Sequence, residues 1–146
     1  MEKLELKHLA GYLPYGIEVL DLYNRKVKVV GLKNETCFID RGNVYTYGDI
    51  YNFRPILRPL SDLTKPITID GITFVPDTWI YDNIKTDVEI YKFLNGKISL
   101  DIETENYNQT IDLMSGYLII EKLNEWHFDW QGLIDKGLAI DINTLK

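Results

Sequence analysis

The side chains able to do chemistry are sparse in this sequence. His8 and His127 are the two histidines, at opposite ends of the chain. In Glu125-Trp126-His127-Phe128-Asp129 each carboxylate stands two residues from the imidazole. On a helix that spacing points the groups apart, so no metal-binding face of the H-x-x-x-E or E-x-x-H kind forms. The ordinary alternative is a histidine at the end of a packed helix, favoured by the negative end of the dipole. Arg54 and Arg58 differ by an even number of positions, so an extended chain sends both to one side. Two guanidinium groups there could hold a phosphate or carboxylate, or pair with the chain's own carboxylates, which is the commoner arrangement. The candidate binding residues are therefore Arg54, Arg58, Trp126, His127 and Asp129. No catalytic residue, metal ligand or cofactor is assigned.

Three further groupings have bland explanations beside the chemical ones. Glu121, Glu125 and Asp129 recur every four residues, a like-charged stripe that is normally solvated and could otherwise greet a basic partner. Tyr45, Tyr47 and Tyr51 with Asp49 would suit stacking against a sugar or base, although tyrosines on a strand face are more usual. Cys37, the single cysteine, lies in the apolar run Thr36-Cys37-Phe38-Ile39 and reads as a small buried hydrophobe. The sequence has no Gly-rich phosphate loop, G-x-S-x-G elbow, H-E-x-x-H or C-x-x-C, which disfavours the common motif-bearing enzymes.

Composition sets the setting for these groups. The 146 residues are 45% hydrophobic and 26% charged, enough for one domain with a real core. Ten Tyr and three Trp are a surplus, and such residues serve half-buried strands or an adhesive surface. The net charge of −6 divides into +2 over residues 1–66 (ten Lys/Arg, eight Asp/Glu) and −8 over 67–146 (six against fourteen). An acidic half disfavours nucleic acid, whose phosphates need clustered cations. The start alternates charge with leucine, unlike a secretory leader, and no apolar run reaches the length of about 18 residues that a membrane span needs. The expected location is cytoplasmic, with no membrane association and a protein as partner.

The elements that must position these side chains follow from patterning. Residues 3–10 form a lead-in ended by a turn at Pro14-Tyr15-Gly16. Ile17–Leu22 and Lys26–Lys33 make a hairpin turning at Asn24-Arg25, with a slip of alternation at Val30, and Thr36–Ile39 and Val44–Tyr47 make another. Pro55 and Pro59 keep the 53–60 segment out of a helix or a central strand, so it is expected at an edge or across a surface. Ser61–Thr64 closes a local turn. Ile67–Val75 is a hairpin about Asp70-Gly71, because Gly accepts positive φ freely. Apolar residues over 77–94 fit a helical stripe, Asn95-Gly96 a turn, and Ile98, Leu100 and Ile102 a strand. A main helix runs over about 109–127 with Asn108 or Thr110 as N-cap. A turn of helix at Leu133–Lys136 and a strand at Leu138–Ile142 complete an α+β domain: a twisted, mostly antiparallel sheet with that helix packed on a face.

Three stretches resemble a known group. Tyr12-Leu13-Pro14-Tyr15-Gly16, the run from Arg54 to Lys65, and Glu125–Asp129 with Gly132–Asn143 are similar to a family of small uncharacterised proteins encoded by phages and prophages of Bacteroides-type bacteria. The resemblance implies a phage-linked accessory protein acting inside the bacterial cell, and it carries no site residues over. The leading expectation is a non-enzymatic protein that binds another protein through aromatic and acidic surfaces. The alternative is a small hydrolase or nucleotide-handling enzyme in which Arg54, Arg58, His127 and Asp129 share one pocket.

Overall fold

The computed structural model describes residues 2–84 and 109–145, with side chains from residue 116 onward in the second stretch. The fold is α+β. In chain order it has α1 (Leu6–Leu9) running into a 3₁₀ turn (Ala10–Tyr15), then β1 (Glu18–Leu20), β2 (Lys26–Lys33), β3 (Thr36–Asp40), β4 (Tyr45–Asp49) and β5 (Arg54–Leu57). A 3₁₀ turn at Leu60–Thr64, β6 (Ile67–Ile69), β7 (Ile72–Phe74), α2 (Pro76–Ile84), α3 (Gln109–Glu125) and β8 (Ile140–Asp141) follow.

One mixed sheet, in the order β4-β3-β2-β1-β5-β8, organises the molecule, and β6-β7 stand apart as a two-stranded ribbon. Period-two burial explains the strands: in β3 Cys37 and Ile39 point inward while Phe38 is outward. Both expected hairpins pair antiparallel, and the slip of alternation is a register shift between Val29 and Gly31, a bulge. The Asp70-Gly71 turn has φ of 51° and 80°, the pair of positive values that a tight hairpin turn uses.

The proline-bearing segment departs from expectation. β5 is an interior strand, antiparallel to β1 and parallel to β8, not an edge strand or a surface crossing. Both ladders are two residues long: Arg54 and Pro55 face β1, and Ile56 and Leu57 face β8. Ladders that short, each leaving off where the other starts, make few demands on the proline's missing N–H.

Two apolar clusters result. The first gathers Leu9, Tyr12, Val19, Val29, Ile39 and Leu57 between the sheet and the N-terminal turns. The second gathers Leu63, Ile80, Ile119, Leu123, Trp126 and Phe128 beneath α2, α3 and the β6-β7 ribbon. Tyr12 joins them, its hydroxyl donating to the Phe128 carbonyl at 2.6 Å. α3 meets the first 3₁₀ turn closely: a Cβ on Gly11 would come within 2.8 Å of the Asn124 side chain, so glycine permits that contact.

The long helix ends at Glu125, two residues short of the expected boundary. His127 adopts φ of 58°. The His127 amide donates to the Asn124 carbonyl and the Phe128 amide to that of Leu123, with Phe128 and Leu123 packed in one cluster. These are the bonds and the apolar contact of a Schellman cap, with histidine where glycine is usual. Residues 133–136 form turns, not a turn of helix, and the last strand shortens to Ile140–Asp141. The stripe beyond Ile84, the Asn95-Gly96 turn, the Ile98–Ile102 strand and the Asn108 N-cap lie outside the described residues. No helix among the described residues is long and apolar enough to cross a membrane.

Candidate functional site

Past the Schellman cap the chain runs beside the end of β5. The Arg58 amide donates to the His127 carbonyl at 2.8 Å, and the Asp129 amide donates to the Arg58 carbonyl at 2.8 Å. This bridge brings two distant stretches together at the mouth of a cleft of about 400 Å³. Arg58, Trp126 and His127 line it, joined by Tyr15 from the first 3₁₀ turn, Asp70 from the hairpin turn and Glu125 from the last turn of α3.

Arg58 is the cation of this cleft. Its Nε is buried and meets no acceptor, and among the described residues no carboxylate forms an ion pair with its guanidinium. Burial lowers its pKa, and the charge of Asp62 opposes that only in part. His127 presents Nε2 to the Tyr15 carbonyl at 2.9 Å, so Nε2 carries the proton and donates. Burial lowers the His127 pKa too, the Tyr15 bond raises it and the Arg58 charge lowers it further, leaving a neutral ring at neutral pH. His127 does stand at the end of the packed helix, two residues past Glu125, where burial works against a charge on the ring. The ring stands edge-on to Tyr12, with centroids 6.5 Å apart.

The other nominated residues are elsewhere. Arg54 and Arg58 do not act as a pair: Arg54 is exposed, donates to Asn24 Oδ1 at 3.0 Å and borders a separate recess with Lys3 and Tyr51. The even-spacing argument fails because β5 stops at Leu57 and Arg58 starts a different bridge. Asp129 is buried, not solvated. Its carboxylate accepts the Leu133 and Ile134 amides at 2.7 and 2.8 Å, holding the turn after α3. The acidic stripe therefore breaks at its last member, since the helix has already ended. Its other members are occupied as well: Glu121 accepts from the Tyr117 hydroxyl, and Glu125 pairs with Lys122 at 2.6 Å. Trp126 is mainly a core residue, with ring centroids 5.0 Å from Phe74 and 5.2 Å from Trp79. The four residues required by an enzymatic reading thus divide between two recesses and the core.

A second surface gathers the aromatic surplus. Phe38 and Tyr47 are paired across β3 and β4 with ring centroids 6.2 Å apart, and Tyr45 and Tyr47 are 75% and 77% exposed. Among the described residues β4 is the edge of the sheet, so these rings border a strand whose outer backbone groups meet no neighbouring described strand. Tyr51 is turned aside, bonded to Asp49 at 3.0 Å. Cys37 is buried, and burial pushes its thiol up to about 12, far from a nucleophile.

Sequence reasoning missed Tyr15 and Asp70 as members of the cleft. The Asp70-Gly71 turn is legible locally, but nothing in the sequence places it near Arg58. Among the described residues no three metal-ligating side chains come together. Comparison with protein-family models, with curated proteins and with solved structures finds no match to this chain.

Proposed function

We propose that the protein is a non-catalytic binding module that engages another protein along the β4 edge. The observation carrying this reading is the exposed row of Phe38, Tyr45 and Tyr47 beside a strand that is the sheet's edge among the described residues. Extended partners add to such an edge through main-chain hydrogen bonds, while side chains set the choice of partner. Tyrosines are enriched among the residues that dominate interface energies. The negative charge concentrated over residues 67–146 favours a partner with basic residues, by steering its approach. The resemblance to phage-encoded proteins supports a setting inside a bacterial cell, where this chain would serve as an accessory factor.

Affinity capture from bacterial lysate, followed by titration of the captured protein, tests the reading. The double variant Tyr45→Ser/Tyr47→Ser is expected to weaken that titration by about tenfold or more, with the circular dichroism spectrum unchanged because both rings point outward. An unchanged affinity, or no saturable partner, removes the proposal.

A further inference from the structure

We infer that the cleft between the end of α3 and the β6-β7 turn is a binding site for a carboxylate carried on an apolar body, anchored by Arg58. This site is separate from the β4 edge and does not depend on its role.

Three observations converge. First, the guanidinium of Arg58 is partly desolvated, with Nε buried and unbonded and no ion-pair partner among the described residues. A buried donor without an acceptor is costly, and an anion at the exposed end of the fork would supply charge-assisted bonds where water screens little. Second, the other charges select the kind of anion. Glu125 is engaged by Lys122 at 2.6 Å, and Asp70 adds a further negative charge at the rim. Repulsion from these carboxylates grows with the ligand's charge, so a monoanionic carboxylate is favoured over a phosphate dianion. Third, the rest of the lining accepts an uncharged body. Ile69 and Trp126 are apolar, and burial and the nearby Arg58 charge disfavour a charge on His127, whose Nε2 is engaged by the Tyr15 carbonyl. A volume of about 400 Å³ suits a body the size of one amino-acid residue with its cap.

The ligand chemistry is shared by a free small acid and by the C-terminal residue of a polypeptide, and titration with matched probes separates the two. Calorimetry and two-dimensional NMR would follow N-acetyl-phenylalanine, its uncharged amide, inorganic phosphate, and an acetylated tripeptide ending in phenylalanine. The acid is expected to bind saturably, moving the Trp126 indole and Arg58 side-chain resonances, at least about tenfold more tightly than the amide. Tighter binding of the tripeptide identifies a polypeptide terminus as the natural source, and equal binding identifies a free acid; both support the site. Arg58→Met is expected to abolish the preference for acid over amide while leaving the melting temperature unchanged or raised, because the side chain makes no bond among the described residues and the backbone bridge to residues 127 and 129 remains. Asp70→Asn, a substitution that the hairpin turn accepts, is expected to tighten acid binding by about threefold. The inference is overturned if the acid does not bind, if acid and amide bind alike, if phosphate binds more tightly than the acid, or if Arg58→Met keeps the acid's full affinity.

Discussion

Two turns of this molecule each bury a carboxylate, and they treat its charge in opposite ways. Asp21, between β1 and β2, is 5% exposed, and Asp129, after α3, is 6% exposed. Burial disfavours the charge at both. Asp21 also receives the Tyr23 and Arg25 amides on Oδ1, and Arg25 Nε and Arg41 Nη1 on Oδ2, all within 3.0 Å. These donors outweigh desolvation and hold its pKa well below the carboxylate range. Among the described residues Asp129 receives amides alone. Burial is the largest influence there, the Ile134 and Leu133 amides oppose it, the nearby Asp135 charge adds to it, and the pKa rises. Depth therefore does not decide whether a buried acid is comfortable as an anion. What decides it is whether the fold brings cations to the acid as well as dipoles. Asp21 clasps two hairpins together through Arg41, whereas Asp129 only shapes its own turn.

Breaking the clasp has the largest expected effect. Asp21→Ala strands two guanidinium groups and two amides, and we expect a loss of about 3 kcal/mol in urea unfolding. A loss near that of an exposed ion pair, below about 1 kcal/mol, would show that the cations contribute nothing beyond the surface value. Asp129→Ala should cost less, about 2 kcal/mol, because only the two amides lose their acceptor. Hydrogen exchange at Leu133 and Ile134 should quicken in that variant, and unchanged protection would mean that other groups hold the turn.

The smallest effect is the sharpest discriminator. The depressed Asp21 pKa gives stability that is present above the unfolded value of about 3.9 and is lost as pH falls from there toward the folded value. The raised Asp129 pKa has the reverse sign: its contribution is complete below about pH 3.9 and is lost as pH rises through the folded value. The wild-type advantage over Asp21→Asn should therefore shrink between about pH 7 and about pH 3, while stability relative to Asp129→Asn should improve over the same interval. Parallel trends in the two series of urea midpoints would erase the distinction.

The residues nominated for a site were legible as types and illegible as a set. Arg58, Trp126 and His127 do line one cleft, yet Tyr15 and Asp70 reach it from turns more than fifty positions apart in sequence. Asp129 and Arg54 were assigned by spacing, and spacing predicts neighbours only while the helix or strand continues. α3 stops at Glu125 and β5 at Leu57, so both extrapolations failed at the step beyond the element's end. The aromatic surplus was visible in composition, but that Tyr45 and Tyr47 lie on the edge strand of the described sheet depends on the order of the strands.

Local pattern by itself determined the three hairpins, the bulge near Val30, the Asp70-Gly71 turn and the existence of the long helix. Alternation, turn chemistry and helical spacing act between residues a few positions apart, where the chain's own geometry enforces them. Only the tertiary structure decided that β5 enters the sheet interior, that His127 caps a helix with positive φ, and that Arg58 lines a cleft with no ion-pair partner among the described residues. Those outcomes depend on contacts between residues 58 and 127–129, whose energies belong to the packed chain and leave no periodic trace along it.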